Sequence, residues 1–459
     1  MTGEAPPPLA PPLARRLREV EAELLARRPE HAIEPSLERV AALAALLGDP
    51  QRTCPVIHVT GTNGKTSTAR MIETLLAARG LRTGLFISPH LASIPERIRV
   101  DGRPLAAEAF VACYEDVAPY VALADERQPV RLSFFEVLTA MAFAAFADAP
   151  VDVAVVEVGM GGTWDATSIA DGAVAVVTPI AIDHTRYLGS TIEEIAAEKA
   201  GIIKPGAVAI LGQQRPAAAQ VLLHRAVEVG ATVAREGLEF GVTGRELAVG
   251  GQVLALRGLS GGYDDLLLPL FGEYQAQNAA CALAAVEAFA SGGPQGEPLG
   301  EELVRQAFAA MTSPGRLEVL RRSPVVLADA AHNPAGMAAS LAAVIEAFSF
   351  QTLIVVLAVS ADKDVPGILD QLEPVADIVV ATRNSADRSM DPGKLADLAA
   401  GVLGPERVRV AARLDDAIEV AVGLVDEAAG GGLGTSGVLV TGSVVTAGDT
   451  RSLLGADPA

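Results

Sequence analysis

The stretch His58-Val59-Thr60-Gly61-Thr62-Asn63-Gly64-Lys65-Thr66 decides the reading of this chain. An apolar run over 55–60 leads into it, and a stretch of helical periodicity over about 66–79 leads out. A turn with two glycines between a strand and a helix lets backbone N–H groups converge at the helix N-terminus, where phosphate oxygens are held. Lys65 then reaches the β- and γ-phosphates of a nucleotide, and the Thr66 hydroxyl can ligate Mg²⁺. The general phosphate-loop pattern has Gly six residues before that lysine, where this chain has Val59. The plain alternative is a glycine-rich turn that only starts a helix; the strand–turn–helix setting favours the nucleotide.

Upstream of the loop, 13–28 and 36–47 read as helices, the second with Ser36 as its cap, and residues 1 to about 12 read as a Pro-rich flexible tail. Downstream, strands over 83–87, 151–158 and 173–179 alternate with helices over 106–121 and 133–147. Alternation of this kind implies a mostly parallel sheet wrapped by helices. Short alternating segments at 247–249, 253–256 and 265–270 predict a small antiparallel sheet, followed by a helix over 274–291 and a Gly/Pro-rich loop over 291–299. A second α/β cycle starts near Ser313-Pro314-Gly315, with strands over 325–329, 352–357, 378–381 and 437–441. The expected fold class is α/β: a P-loop-type, mostly parallel sheet domain over 1–312, then a second, smaller Rossmann-like α/β domain over 313–459 without a GxGxxG turn.

Composition bounds the partners. A chain of 459 residues exceeds what one core organises, so two domains are expected, three at most. Half the residues are hydrophobic and 20% charged, which suits a large buried interior. The formal net charge of −20 argues against nucleic acid or an anionic membrane as partner. A phosphate pocket needs only a few aimed N–H groups and one lysine. Cys54, Cys113 and Cys281 are far apart, without metal-ligand spacing or a disulfide framework, which points to a reducing cytoplasm. The start, MTGEAPPPLAPPLARRL, has no apolar signal-peptide core, and no apolar run approaches the roughly 18–20 residues of a spanning helix. A soluble, cytoplasmic monomer acting on small molecules is the expectation.

Further motifs follow the phosphate loop in order. Ser88-Pro89-His90-Leu91 precedes Glu96-Arg97-Ile98, and Glu157-Val158-Gly159-Met160-Gly161-Gly162 runs into Asp165-Ala166-Thr167. Then come Asp183-His184, Glu198-Lys199-Ala200-Gly201-Ile202 and Asp329-Ala330-Ala331-His332-Asn333-Pro334. This set, spanning Ile33 to beyond Asp362, resembles the folylpolyglutamate synthase family of the Mur-ligase superfamily, whose bacterial members are commonly bifunctional with dihydrofolate synthase.

The resemblance implies an ADP-forming carbon–nitrogen ligase that adds L-glutamate to dihydropteroate, to the γ-carboxyl of reduced folates, or to both. A carboxylate is a poor electrophile and must first become an acyl phosphate. Its attack on ATP brings anion against anion, so cations and in-line positioning are needed. By the resemblance, ATP meets Gly61, Thr62, Asn63, Gly64, Lys65, Thr66, Asn278, Arg316, Asp329 and His332, and lies between the two domains. Ser88, Glu157 and His184 join Thr66 in holding Mg²⁺, two ions in all. Lys199 is carbamylated and helps to hold the second ion, which requires a neutral amine and hence a depressed pKa. Arg316 stabilises the transferring phosphoryl group, so that Lys65, Lys199, His184 and Arg316 form the catalytic set. The pterin falls to Ile33, Glu34, Pro35 and Ser36, to Ser133, Phe134, Phe135 and Glu136, and to Trp164, Asp165 and Ala166. Phe134 or Phe135 would stack on the ring and Glu136 would accept its N–H groups. His332 and Ser443 are the candidates for glutamate.

Read alone, each residue has a plainer role. Ser88 can cap a turn before Pro89, Glu157 can pair with a lysine, and His184 can be a core histidine, imidazole being an unusual Mg²⁺ ligand. Lys199, beside Glu193, Glu194 and Glu198, reads as a solvated helix lysine. Arg316 can pair with Glu318, Asp329 can simply end a strand, and two adjacent Phe suit a core. Two other classes compete for the whole chain. A cell-wall Mur ligase joining an amino acid to a UDP-muropeptide carries an extra N-terminal domain, and here the loop starts by residue 58. A regulatory ATPase or kinase needs neither Ser88, Glu157 and His184 nor a second domain bearing Arg316 and His332.

Overall fold

The computed structural model describes residues 9–293, 298–429 and 435–456. The strand that enters the phosphate loop, β1 (Val56–Thr60), runs inside an eight-stranded sheet. Two helices precede it, α1 (Pro11–Leu25) and α2 (Glu38–Leu46), and α3 (Lys65–Ala78) follows the loop. Next come β2 (Thr83–Phe86), β3 (Ile98–Val100), β4 (Arg103–Pro104), α4 (Ala107–Arg127), α5 (Phe134–Asp148) and β5 (Val153–Glu157). The sheet is completed through β6 (Gly172–Val177), α6 (Thr185–Leu188), α7 (Ile192–Lys199), β7 (Val208–Leu211), α8 (Pro216–Val229) and β8 (Thr232–Arg235).

The strand order is β4-β3-β2-β5-β1-β6-β7-β8. From β2 to β8 the neighbours pair in parallel, and β3 and β4 add an antiparallel edge. Every residue of β1 and β5 is buried. Helices cover both faces: α4 and α5 share a core with α1 and α2, while α7 and α8 share another. Strands covered on both sides read as continuous apolar runs, which is why these two were legible. The two- and three-residue edge strands and the four-residue β7 and β8 carried too little periodicity to be seen. The tail expectation is corrected at its end: α1 starts at Pro11, with proline in its first turn, where the missing N–H costs nothing. Residues 1–8 lie outside the described residues. Ser36 does accept the Glu38 N–H, at 3.2 Å.

A three-stranded sheet follows, β9 (Gly241–Ala248), β10 (Gly251–Arg257) and β11 (Gly262–Leu268), then α9 (Glu273–Ser291) and α10 (Glu301–Ala309). Of the expected 291–299 loop, residues 294–297 lie outside the described residues. The last sheet holds β12 (Glu318–Arg322), β13 (Val325–Ala328), β14 (Thr352–Leu357), β15 (Ile378–Ala381), β16 (Val408–Val410) and β17 (Ser436–Thr441). Its order is β12-β13-β17-β14-β15-β16, parallel except for β12. Helices α11 (Pro334–Phe348), α12 (Val365–Leu372) and α13 (Pro392–Leu403) share one core and α14 (Leu414–Ala429) supplies another, with α15 (Val444–Leu453) closing the chain.

Packing divides the chain into two units. The first takes Met1–Glu246, Val253–Leu268 and Ala276–Met311; the second takes Leu247–Gln252, Pro269–Gln275 and Thr312–Ala459. Two short stretches before residue 312 therefore group with the second unit, in part because Phe271 and Tyr274 pack on its core. Among the described residues no helix is long and apolar enough to cross a membrane.

Candidate active site

β1 delivers the phosphate loop to the C-terminal end of its sheet, where open α/β folds bind ligands. Gly61 has φ 145° and Gly64 has φ 87°. A Cβ would sit 1.8 Å from Thr178 Oγ1 at the first and 2.5 Å from Asn278 Oδ1 at the second. Backbone conformation and space both demand glycine there. The chain leaving β6 runs along the loop and holds it. Thr178 Oγ1 donates to Asn63 O at 2.7 Å with Thr60 O at 3.2 Å, and Thr62 N donates to Pro179 O at 3.1 Å. Thr62 Oγ1 donates to Ala181 O and accepts from Ala181 N, both at 3.0 Å. Gln214 secures this support, its amide donating to Val177 O and Thr178 O and accepting from Ile180 N. Lys65 Nζ donates to Thr62 O at 3.3 Å, so the loop is already folded around its cation.

Thr66 Oγ1 donates to Glu157 Oε1 at 3.0 Å, and Ser88 N donates to Glu157 Oε2 at 3.2 Å. Thr66, Ser88 and Glu157 thus meet beside the loop. Glu157 is 1% exposed, and a buried carboxylate beside the Thr66 hydroxyl offers the hard oxygens that Mg²⁺ takes. His184 caps α6 in a left-handed conformation, φ 52°, with its Nε2 3.8 Å from Asp183 Oδ2. Its side chain is 34% exposed, so it is not a core histidine. Among the described residues no three His, Cys, Asp or Glu side chains gather as a metal cluster.

Lys199, at the end of α7, is 3% exposed and donates to Gly61 O at 2.7 Å. It is not the solvated lysine its acidic neighbours suggested. Burial, then the Lys65 charge, brings its pKa down to about 7 against the pull of Asp183, Asp165 and Glu198. A large neutral fraction at neutral pH makes it a competent nucleophile.

Two of the three candidate pterin segments, 33–36 and 133–136, share one polar framework. Ser133 and Glu136 form the capping box that opens α5, Glu136 Oε2 accepting from Ser133 N at 2.7 Å. Glu136 Oε1 accepts from Arg39 Nε at 2.9 Å, and Arg39 also donates to Glu34 O at 2.6 Å, tying 33–36 to this helix start. Arg28 pairs with Glu34. Phe134 and Phe135 are both core residues. Arg97 lies over the Phe134 ring at 5.0 Å, and Phe135 packs against Phe86 and fills the space a side chain at Gly159 would need. Both rings are thus packed by protein groups on at least one side, as core residues are. Asp165 is buried, accepting from Met160 N at 2.9 Å and from Thr167 N and Oγ1 at 3.0 and 2.5 Å. Trp164 N donates to Glu198 Oε1 at 3.3 Å, and Ala166 is buried.

In the second unit, Asp329 follows β13 and does more than end it. Its Oδ2 accepts from Leu317 N at 2.8 Å and its Oδ1 from Ala331 N at 3.0 Å. His332 Nδ1 lies 2.9 Å from Ala330 O, so Nδ1 carries the proton. Ser443 caps α15 by accepting from Val445 N at 3.0 Å. Arg316 precedes Leu317, which is buried at φ 47°, a conformation costing roughly 1–2 kcal/mol outside glycine. The plainer alternative, an Arg316–Glu318 pair, is not formed; Glu318 pairs with Arg451 and accepts from Gly315 N at 2.7 Å.

Several contributors escape a reading of the sequence. The only signal for Thr178 is a Thr-Pro step directly after a strand. Arg97, 2% exposed, donates to Glu30 at 2.6 and 3.2 Å and to His90 Nδ1 at 2.9 Å, which holds His90 neutral. Burial, then the Arg97 charge, takes the His90 pKa to about 4. Nothing local marks Leu317 as left-handed.

A preformed phosphate loop flanked by a buried glutamate and a buried lysine, followed by a second parallel α/β unit, defines a Mur-type ligase. Residues 119–286 match the Mur ligase middle domain and residues 315–444 the Mur ligase glutamate ligase domain. The chain is 53% identical, over 96% of its length and 94% of the relative's, to the dihydrofolate synthase/folylpolyglutamate synthase of Mycobacterium tuberculosis. It is 37% identical to the Escherichia coli protein of the same name, over 75% of this chain and 76% of that one. The crystal structure of Mycobacterium tuberculosis folylpolyglutamate synthase complexed with ADP and AMPPCP is similar at a TM-score of 0.93, covering 97% of this chain and all of that one, at 53% identity. An FPGS–AMPPCP–folate complex is similar at 0.82 and 30% identity, covering 95% of this chain and 99% of that one. This chain belongs to the dihydrofolate synthase/folylpolyglutamate synthase family.

Proposed function

We propose that this chain is an ADP-forming ligase that uses ATP to join L-glutamate to dihydropteroate, to the γ-carboxyl of reduced folates, or to both. The observation that carries the reading is the meeting of Thr66, Ser88 and Glu157 beside a preformed phosphate loop, with Lys199 bound to the loop's own Gly61 carbonyl. The loop N–H groups and Lys65 take the ATP phosphates, joined by Asn278, Arg316, Asp329 and His332. A carboxylate oxygen of the pteroate or folate attacks the γ-phosphorus and the bond to ADP breaks. Lys65 and Arg316 offset the charge that builds up. The glutamate amine then attacks the acyl carbon, releasing inorganic phosphate and a proton.

Thr66, Ser88 and Glu157, with His184, are the residues that would hold Mg²⁺, which supplies positive charge against the phosphates. Burial and a pKa of about 7 support carbamylation of Lys199 for a second ion, and a carbamate keeps an N–H for Gly61 O. Residues 1–312 would serve ATP and the pterin, through 33–36, 133–136 and 164–166; residues 313–459 would serve glutamate, with His332 and Ser443. Neither part alone carries the full set, while a single copy does, which supports a monomer. Three free cysteines suit the cytoplasm.

The test is ADP release by the purified chain with dihydropteroate, tetrahydrofolate or a UDP-muropeptide precursor, each with and without L-glutamate. Release that needs both glutamate and a pteroate or folate is expected. Release driven by the muropeptide alone would overturn the proposal.

A further inference from the structure

Arg316 lies in a turn that is held from outside. Its own N–H donates to Ser313 O at 3.1 Å, which closes the turn, and the next residue adopts φ 47°. Among the described residues Arg316 forms no ion pair, so the backbone sets where its side chain leaves the turn. That backbone has three anchors. The Leu317 side chain is buried in the core formed with α11, the Leu317 N–H donates to Asp329, and the Gly315 N–H donates to Glu318 Oε2 at 2.7 Å. Glu318 begins β12 directly opposite Ala328, one residue before Asp329, so two carboxylates grip the turn on either side of Arg316. The other Glu318 oxygen pairs with Arg451 of α15, 7% exposed, which fixes the carboxylate itself. The grip at Gly315 is the one anchor on the near side of Arg316, and without it the cost of the left-handed step at Leu317 is borne by the core and Asp329 alone, so the direction in which the Arg316 side chain leaves the turn shifts.

We propose that Glu318 and Arg451 are positioning residues that aim Arg316 by stabilising the left-handed backbone at Leu317. The inference rests on the reading of Arg316 as the group that meets the transferring phosphoryl. It adds that the aim of this arginine is set on an edge strand and the final helix, by residues that touch no substrate.

The test is a double-mutant cycle in the full-length chain: Arg316→Ala, Glu318→Ala and the two combined, with Glu318→Gln beside them. ADP release with ATP, tetrahydrofolate and L-glutamate gives kcat and the KM for ATP, and thermal melting checks the fold. Glu318→Ala is expected to lower kcat by about 10- to 100-fold with KM for ATP changed by less than about twofold. Glu318→Gln, whose amide oxygen still accepts the Gly315 N–H, should lose only about threefold. The double variant should be no slower than Arg316→Ala alone, because the second change acts only through the first. Multiplying losses, or a lowered melting temperature at unchanged kcat, would overturn the positioning role. A normal kcat in Arg316→Ala would instead remove the reading of Arg316 on which the inference stands. If Glu318→Ala does not fold, the same cycle is run with Arg451→Lys, which keeps a charge but not the planar fork; multiplying losses in that cycle would overturn the positioning role equally.

Discussion

The two turns proposed to meet ATP are held by opposite means. In the first unit the phosphate loop takes its shape from its own glycines, Gly61 and Gly64 at positive φ, and Thr178 and Lys199 then tie down its carbonyls. In the second unit the turn bearing Arg316 is held against its local preference, by a buried leucine in the left-handed region and by Asp329, Glu318 and Arg451. A turn whose shape is built into nine consecutive residues announces itself in sequence. A turn imposed by residues up to the last helix does not.

The largest effect is expected at Lys65. If the locked loop exists to hold phosphates, Lys65→Ala should cost about 10²- to 10³-fold in kcat/KM for ATP, with the melting temperature moved by no more than about 2 °C. Near-normal turnover in that folded variant would leave the loop a structural turn. The lock itself is sharpened by Thr178→Val, which keeps the shape but takes the hydroxyl from Asn63 O and Thr60 O. The KM for ATP should rise by about tenfold, since a buried carbonyl left unpaired costs about 1–3 kcal/mol. An unchanged KM would place the rigidity of the loop elsewhere. Glu157→Gln keeps the shape and removes the charge, and should raise the Mg²⁺ concentration for half-maximal activity by about fivefold. Unaltered Mg²⁺ dependence would make Glu157 a strut for Ser88 and Thr66 only.

The smallest effect concerns Lys199. Its folded pKa of about 7 lies below the ordinary 10.5, so between these values the unfolded chain binds more protons and stability rises with pH. Below the folded value both states are charged and the cost of burying the ammonium is fully present. In bicarbonate-free buffer the melting temperature should rise between pH 7 and 9 by about 2–4 °C, other groups aside, and Lys199→Met should lose that part of the rise. Parallel curves for the two proteins would mean that Lys199 is not depressed.

What the sequence made legible follows the same division. β1 and β5 stood out because both of their faces are covered, whereas β3, β4, β12 and β16 are short edge or near-edge strands bearing arginines. The motif residues of the first unit were readable from spacing and resemblance. The state of Lys199 was not, because Glu193, Glu194 and Glu198 mark a solvated face and only tertiary packing brings its amine under Gly61. Phe134 and Phe135 read as ring-stackers or, more often, as core, and their contacts with Arg97, Phe86 and Gly159 come only from tertiary packing. Arg316 is readable by resemblance, but two of the residues that hold its turn, Asp329 and the Arg451 that pairs with Glu318, lie too far along the chain for spacing to reveal.

The central claim is that the loop and its cations activate a carboxylate as an acyl phosphate, and isotope transfer tests it most directly. The full-length chain is given ATP, L-glutamate and tetrahydrofolate whose γ-carboxylate carries oxygen-18, and the released inorganic phosphate is analysed by mass spectrometry. One labelled oxygen in phosphate is expected for each amide bond formed, because the carboxylate oxygen that attacks the γ-phosphorus leaves with it. Amide formation with unlabelled phosphate would contradict that claim.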